Sequence, residues 1–150
     1  MSCVYKIDFV KSSFDLSDDY SKLSDIDKEK IADISDESFL DLDIDKKYVI
    51  YLIVSPIEMK GYVNVLNDNN IDYKIKDLSK DILHDKINIE DELYQRISPL
   101  MAMRYSYFID DLNQWIYNNL DIDIVLDKIS LFGINSLRTV EKKFLSNYSC

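Results

Sequence analysis

The run Tyr48-Val-Ile-Tyr-Leu-Ile-Val54 constrains this chain more than any other stretch. An unbroken apolar series rich in β-branched and aromatic residues has no polar face to turn to water. It therefore predicts a central strand covered on both sides, and it is far too short to span a bilayer. Ser55-Pro56-Ile57-Glu58 follows at once. Ser at the N-cap, Pro at the first helical position and Glu three residues after the cap form a capping box, so a helix should start at Pro56. Asn67-Asp-Asn-Asn70 is a turn-rich stop, and Ile71-Asp-Tyr-Lys-Ile-Lys76 alternates as a more exposed strand. Strand, helix and strand with short connections predict a βαβ unit over 48–76, with parallel strands and a right-handed crossover.

The flanking segments extend this pattern. Tyr5, Ile7 and Phe9 alternate with Lys6 and Asp8, which predicts a half-buried strand over Val4 to Phe9. Ser24-Asp-Ile-Asp27 resembles a cap and predicts a short helix to about Ile34, and Ser35 can cap a second helical turn over Asp36 to Leu42. From Asn88 onward Leu93, Ile97, Leu100, Met101, Tyr105, Phe108, Leu112, Trp115 and Ile116 recur at three- and four-residue steps. Ser98-Pro99 should interrupt this stripe, leaving a long helix to about Asn119. Two more helices, Asp121 to Leu131 and Asn135 to Ser146, flank a turn at Gly133. The fold class predicted is α/β, with α+β the alternative. It is a single domain over 1–150 with a small mixed sheet containing one βαβ unit, packed by a helical part over 88–148.

Charge is distributed unevenly over this framework. Residues 15–45 hold twelve carboxylates against Lys22, Lys28 and Lys30, a net of −9 out of −10 for the whole chain. Leu16, Leu23, Ile26, Ile31, Ile34, Phe39, Leu40, Leu42 and Ile44 give the same stretch enough anchors to fold. A concentrated negative field repels nucleic acid and attracts basic protein surfaces. The candidate partner-binding residues are Asp18, Asp19, Asp25, Asp27, Asp33, Asp36, Glu37, Asp41 and Asp43.

Other chemistries find weaker support. Gly61 and Gly133 are the only glycines, which argues against phosphate-cradling loops. Asp41-Leu-Asp43-Ile-Asp45 begins like a calcium loop, but Lys46 and Leu52 stand where that loop needs Gly and Glu. Glu58-Met59-Lys60 resembles in part the Glu-x-Lys of metal-dependent nucleases, which lies on a strand. Asp43 or Asp45 would have to complete the set, and Glu58 already has a capping role. His84 is the only histidine and has no partner for a zinc site or triad. Tyr94, Tyr107 and Tyr117 fall off the apolar stripe and suit an interface. The opening Met-Ser-Cys-Val-Tyr-Lys-Ile-Asp has no apolar h-region. The expectation is a cytoplasmic chain with Cys3 and Cys150 as free thiols, no cofactor and no membrane partner.

Near the end, Leu126-Asp-Lys128-Ile129, Gly133-Ile-Asn-Ser136-Leu137 and Glu141-Lys-Lys-Phe144-Leu145 stand in succession. This pattern resembles a short two-helix tail found in assorted bacterial proteins, a likeness that implies no activity. Read as a helix-turn-helix DNA reader, the tail would offer only Arg138, Lys142 and Lys143 as cations, a thin set on a chain of −10. The reading the residues favour is a non-catalytic, acidic, protein-binding inhibitor of a basic or nucleic-acid-handling partner. An immunity protein against a toxin, or a phage antagonist of host defence, would act in this way. The rival is a structural or assembly subunit, such as a phage particle component, that oligomerises through its helices; a nuclease using Glu58 and Lys60 comes third.

Overall fold

A computed structural model describes residues 1–35, 38–44, 47–90 and 102–148. Four strands form its centre: β1 (Cys3–Phe9), β2 (Ser38–Ile44), β3 (Lys47–Val54) and β4 (Tyr73–Asp77). Their order is β2-β3-β1-β4. Between β1 and β2 lie α1 (Ser13–Ser21) and α2 (Asp25–Ser35), and α3 (Pro56–Asp68) joins β3 to β4. After β4 come α4 (Ser79–Leu83), α5 (Ala102–Asn119), α6 (Ile122–Phe132), a 3-10 turn (Ile134–Ser136) and α7 (Thr139–Asn147).

β3 is the covered strand that its composition predicts. Val49, Tyr51 and Ile53 point into one apolar layer, while Ile50, Leu52 and Val54 point into the other. Met59, Tyr62 and Leu66 of α3 and Ile34 of α2 fill the second layer. The first layer is filled by Ile82, Phe108, Leu112, Trp115, Ile116, Val125 and Val140 from α4 to α7. The sheet is thus the middle of three layers.

The β-α-β succession is present, with β3 and β4 parallel to each other, since both run antiparallel to β1. They are not neighbours, however. β1 is inserted between them, so every hydrogen-bonded pair in the sheet is antiparallel rather than mixed. β1 pairs with β3 by continuing both layers, Tyr5, Ile7 and Phe9 in one and Val4 in the other, with Lys6 and Asp8 half-buried beside Val4. Lys74, Ile75 and Lys76 of β4 are exposed, and two lysines on an edge strand discourage pairing with another chain.

Local signals account for most helix ends. Ser55 Oγ accepts from the Glu58 amide at 3.2 Å and donates to Glu58 Oε1 at 3.0 Å, closing the capping box with Pro56 in the first turn. Ser24 Oγ accepts from the Asp27 amide at 3.2 Å. Asn70 ends α3 in the left-handed region at φ 55°, and Gly133 takes φ 86° between α6 and the 3-10 turn. The helical turn expected over Asp36 to Leu42 is corrected to strand from Ser38 onward. Leu40 and Leu42 enter one layer while Phe39 packs against the other, so a period of two, not 3.6, organises these residues. The break expected at Ser98-Pro99, and the stripe positions Leu93, Ile97, Leu100 and Met101, lie outside the described residues.

Candidate functional site

The acidic segment is divided between α1 and α2 on one side of the sheet and the edge strand β2. Residues 13–35 carry seven carboxylates against three lysines, a net of −4. Asp18, Asp25 and Asp33 are exposed. Asp19 is drawn to Lys11 Nζ at 2.9 Å, and Asp27 accepts from Asn69 Nδ2 at 3.2 Å, which ties α2 to the end of α3. Asp36 and Glu37 lie outside the described residues. The other two candidates, Asp41 and Asp43, sit on the edge strand β2 with Asp43 exposed, separate from the helices.

Asp41 has a different environment from the rest. Its Oδ2 accepts from the Tyr48 hydroxyl at 2.9 Å, and its Oδ1 is 2.7 Å from Arg104 Nη1. Arg104 reaches it from α5 and also lies over the Phe39 ring, 5.9 Å from its centroid. Asp41 and Tyr48 line a mostly apolar cavity of about 330 Å³ between the sheet and the α1–α3 helices. Phe9, Leu16, Leu23, Ile31, Phe39 and Leu66 supply most of its wall, and Tyr62 of α3 adds a second phenol. Burial pushes both the Tyr48 and Tyr62 hydroxyls well above the ordinary tyrosine range, and the neighbouring Asp41 carboxylate pushes them further. Both therefore remain protonated at neutral pH. Sequence reasoning missed this group, because it needs the β2–β3 register that sets Asp41 opposite Ile50, and a residue 63 positions further on.

A second charged cluster fastens the last helices. Glu141 is fully buried, and its Oε1 accepts from Lys128 Nζ at 2.6 Å, the Arg138 amide at 2.8 Å and Arg138 Nε at 3.0 Å. Lys128 also reaches Asp85 Oδ2 at 2.6 Å. Arg138 donates to the carbonyls of Ile82 and Leu83 at 2.8 and 3.2 Å. Lys128, Arg138 and Glu141 thus lock α6 and α7 to the end of α4. Arg138 is spent on that lock rather than offered to a phosphate backbone. A cleft of about 450 Å³ opens beside it, lined by charges of both signs, Asp85, Asp110, Arg138 and Lys143.

The remaining candidates are dispersed. Asp43 pairs with Tyr48 at one end of β3, whereas Glu58 and Lys60 follow its other end. Six residues of strand, about 20 Å, separate the two sites, so the Glu58, Lys60 and Asp43 set is not brought together. Asp45 lies outside the described residues. His84 caps the end of α4, and Cys3 is a half-buried free thiol on β1; Cys150 lies outside the described residues. Tyr107 is exposed, Tyr117 packs edge-on against Phe144, and Tyr94 is not among the described residues. No helix among the described residues is long and apolar enough to cross a membrane. The chain matches no protein-family model, no curated protein and no solved structure.

Proposed function

We propose that this protein is a protein-binding inhibitor that presents the outer faces of α1 and α2 to a basic partner. The observation that carries the reading is the exposure of Asp18, Asp25 and Asp33 on one helical layer whose charge is −4, outside a rigid sheet. Carboxylates so placed occupy the volume in which a nucleic-acid-handling protein holds phosphates, and their field accelerates encounter. An immunity protein or a phage antagonist of host defence would use this physics. The test begins with an affinity pull-down and mass spectrometry to obtain the partner. Asp18→Lys, Asp25→Lys and Asp33→Lys are then combined. The triple variant should associate at least about tenfold more slowly, with a flatter salt dependence and an unchanged melting temperature. An unchanged on-rate and affinity would overturn the reading.

A second reading, an assembly subunit, draws on a different corner. Leu126, Leu131, Phe132 and Ile134 are all at least half exposed on α6 and the 3-10 turn. Self-association that rises with concentration in analytical ultracentrifugation, and disappears in Leu131→Asp/Phe132→Asp, would favour it over the inhibitor.

A further inference from the structure

The cavity beneath α1 and α2 ends in a polar group that the protein leaves incomplete. Tyr62 is only 4% exposed and lines this cavity, and among the described residues no hydrogen bond engages its hydroxyl. Tyr48 lines the same cavity, and its hydroxyl is used as a donor to Asp41. A phenol that faces a mostly apolar cavity without a protein partner keeps its donor for whatever enters the cavity.

We propose that this cavity binds a small neutral amphipathic molecule, with an apolar body against Leu16, Ile31 and Leu66 and a hydroxyl or amide group at Tyr62 and Tyr48. The volume, about 330 Å³, lies at the small end of ligand pockets and fits a molecule of roughly ten non-hydrogen atoms. The polar end requires a group that both accepts and donates. Tyr62 gives a proton, and the Tyr48 oxygen, its own proton committed to Asp41, takes one. Charge selects further. The helices above are net negative and Asp41 is already paired with Arg104, so a carboxylate or phosphate is repelled on entry and loses its hydration among apolar walls, with no free cation among the described lining residues to replace it. Neutral alcohols and amides escape both penalties. The site is distinct from the exposed carboxylates of α1 and α2, which point away from the sheet.

The test uses 1-octanol, octanoate and toluene as probes of the whole chain, read by methyl NMR shifts of Leu16, Ile31 and Leu66. Octanol should shift those methyls saturably, and octanoate, with the same apolar chain, should bind at least tenfold more weakly. Tyr62→Phe keeps the ring and removes the hydroxyl. It should weaken octanol about fivefold and leave toluene unchanged, because only the hydrogen bond is lost. Ile31→Phe, which narrows the cavity without touching the phenols, should weaken both probes. Absent or non-saturating octanol shifts, octanoate binding as tightly as octanol, or equal octanol affinity in Tyr62→Phe would each overturn the proposal.

Discussion

Replacing Lys128 by Met tests how the last helices are held. Its Nζ lies 2.6 Å from both Asp85 Oδ2 and Glu141 Oε1, and its side chain is 11% exposed. Removing one member of a buried ion pair costs about 3–5 kcal/mol, because the charge left behind stays desolvated. Here two features soften the loss. Glu141 keeps Arg138 Nε at 3.0 Å, and Asp85 is exposed enough to regain water. The expected cost is therefore at the lower end, about 3 kcal/mol. In a chain of this length each kcal/mol moves Tm by about 2–4 °C, so Lys128→Met should melt about 6–12 °C lower. Thermal and urea unfolding followed by circular dichroism at neutral pH provide the measurement. Lys128→Met combined with Glu141→Gln should lose less than the two single changes summed, by at least about 1 kcal/mol. A wild-type midpoint for Lys128→Met, or strict additivity in the double variant, would refute the argument. Acid supplies an independent check. Burial alone pushes the Glu141 carboxyl up, but hydrogen bonds from Arg138 and Lys128 more than offset it, so it titrates below its ordinary 4.5. A depressed folded value means the stabilisation is present above pH 4.5 and lost as pH falls through the folded value. The gap between wild type and Lys128→Met should accordingly narrow below pH 4.5.

Trp115 is buried, and its Nε1 donates to the Ser2 carbonyl at 3.0 Å, so Trp115→Ala should cost about 3–5 kcal/mol. Normal melting of that variant, with loss of a partner instead, would make the α5 stripe an interface. Tyr48 and Tyr62 hold their protons above the ordinary 10.0, so stability should be flat up to that pH and fall as pH rises beyond it. Tyrosinate absorbance should show the two ionising only as the chain unfolds. Their titration in the intact fold at ordinary values would contradict the cavity geometry.

The elements legible in the sequence were those whose signal is local. Tyr48 to Val54 could only be a covered strand, Ser55-Pro56 and Glu58 fixed the start of α3, and the Phe108, Leu112, Trp115 register gave the buried face of α5. β2 is obscured because Ser35 offers a cap for a helical turn over Asp36 to Leu42, although Phe39, Asp41 and Asp43 alternate with Leu40 and Leu42. The six residues between Asp41 and Tyr48 give no hint that the two touch, since contact depends on the β2–β3 register. Insertion of β1 between β3 and β4 is likewise a global solution: several strands could have completed β3, and only the packing of both layers decides. Glu141 carries no local signal of burial, and it is buried where three donors converge on it.

The place of β1 in the sheet also sets a timetable for synthesis. Both strands that flank it are made later: Val54 ends β3 45 residues after Phe9, and Asp77 ends β4 68 residues after it. At about 5–20 residues per second, β1 waits roughly 2–9 s for its first neighbour and roughly 3–14 s for its second. Val4, Tyr5, Ile7 and Phe9, all buried at the end, meet water or a chaperone throughout that interval. The β2–β3 hairpin, with the shorter loop to close, is positioned to form first and to recruit β1 from behind. Slowing the ribosome between Val54 and Tyr73 would therefore prolong a half-built sheet whose exposed edge is its own future centre.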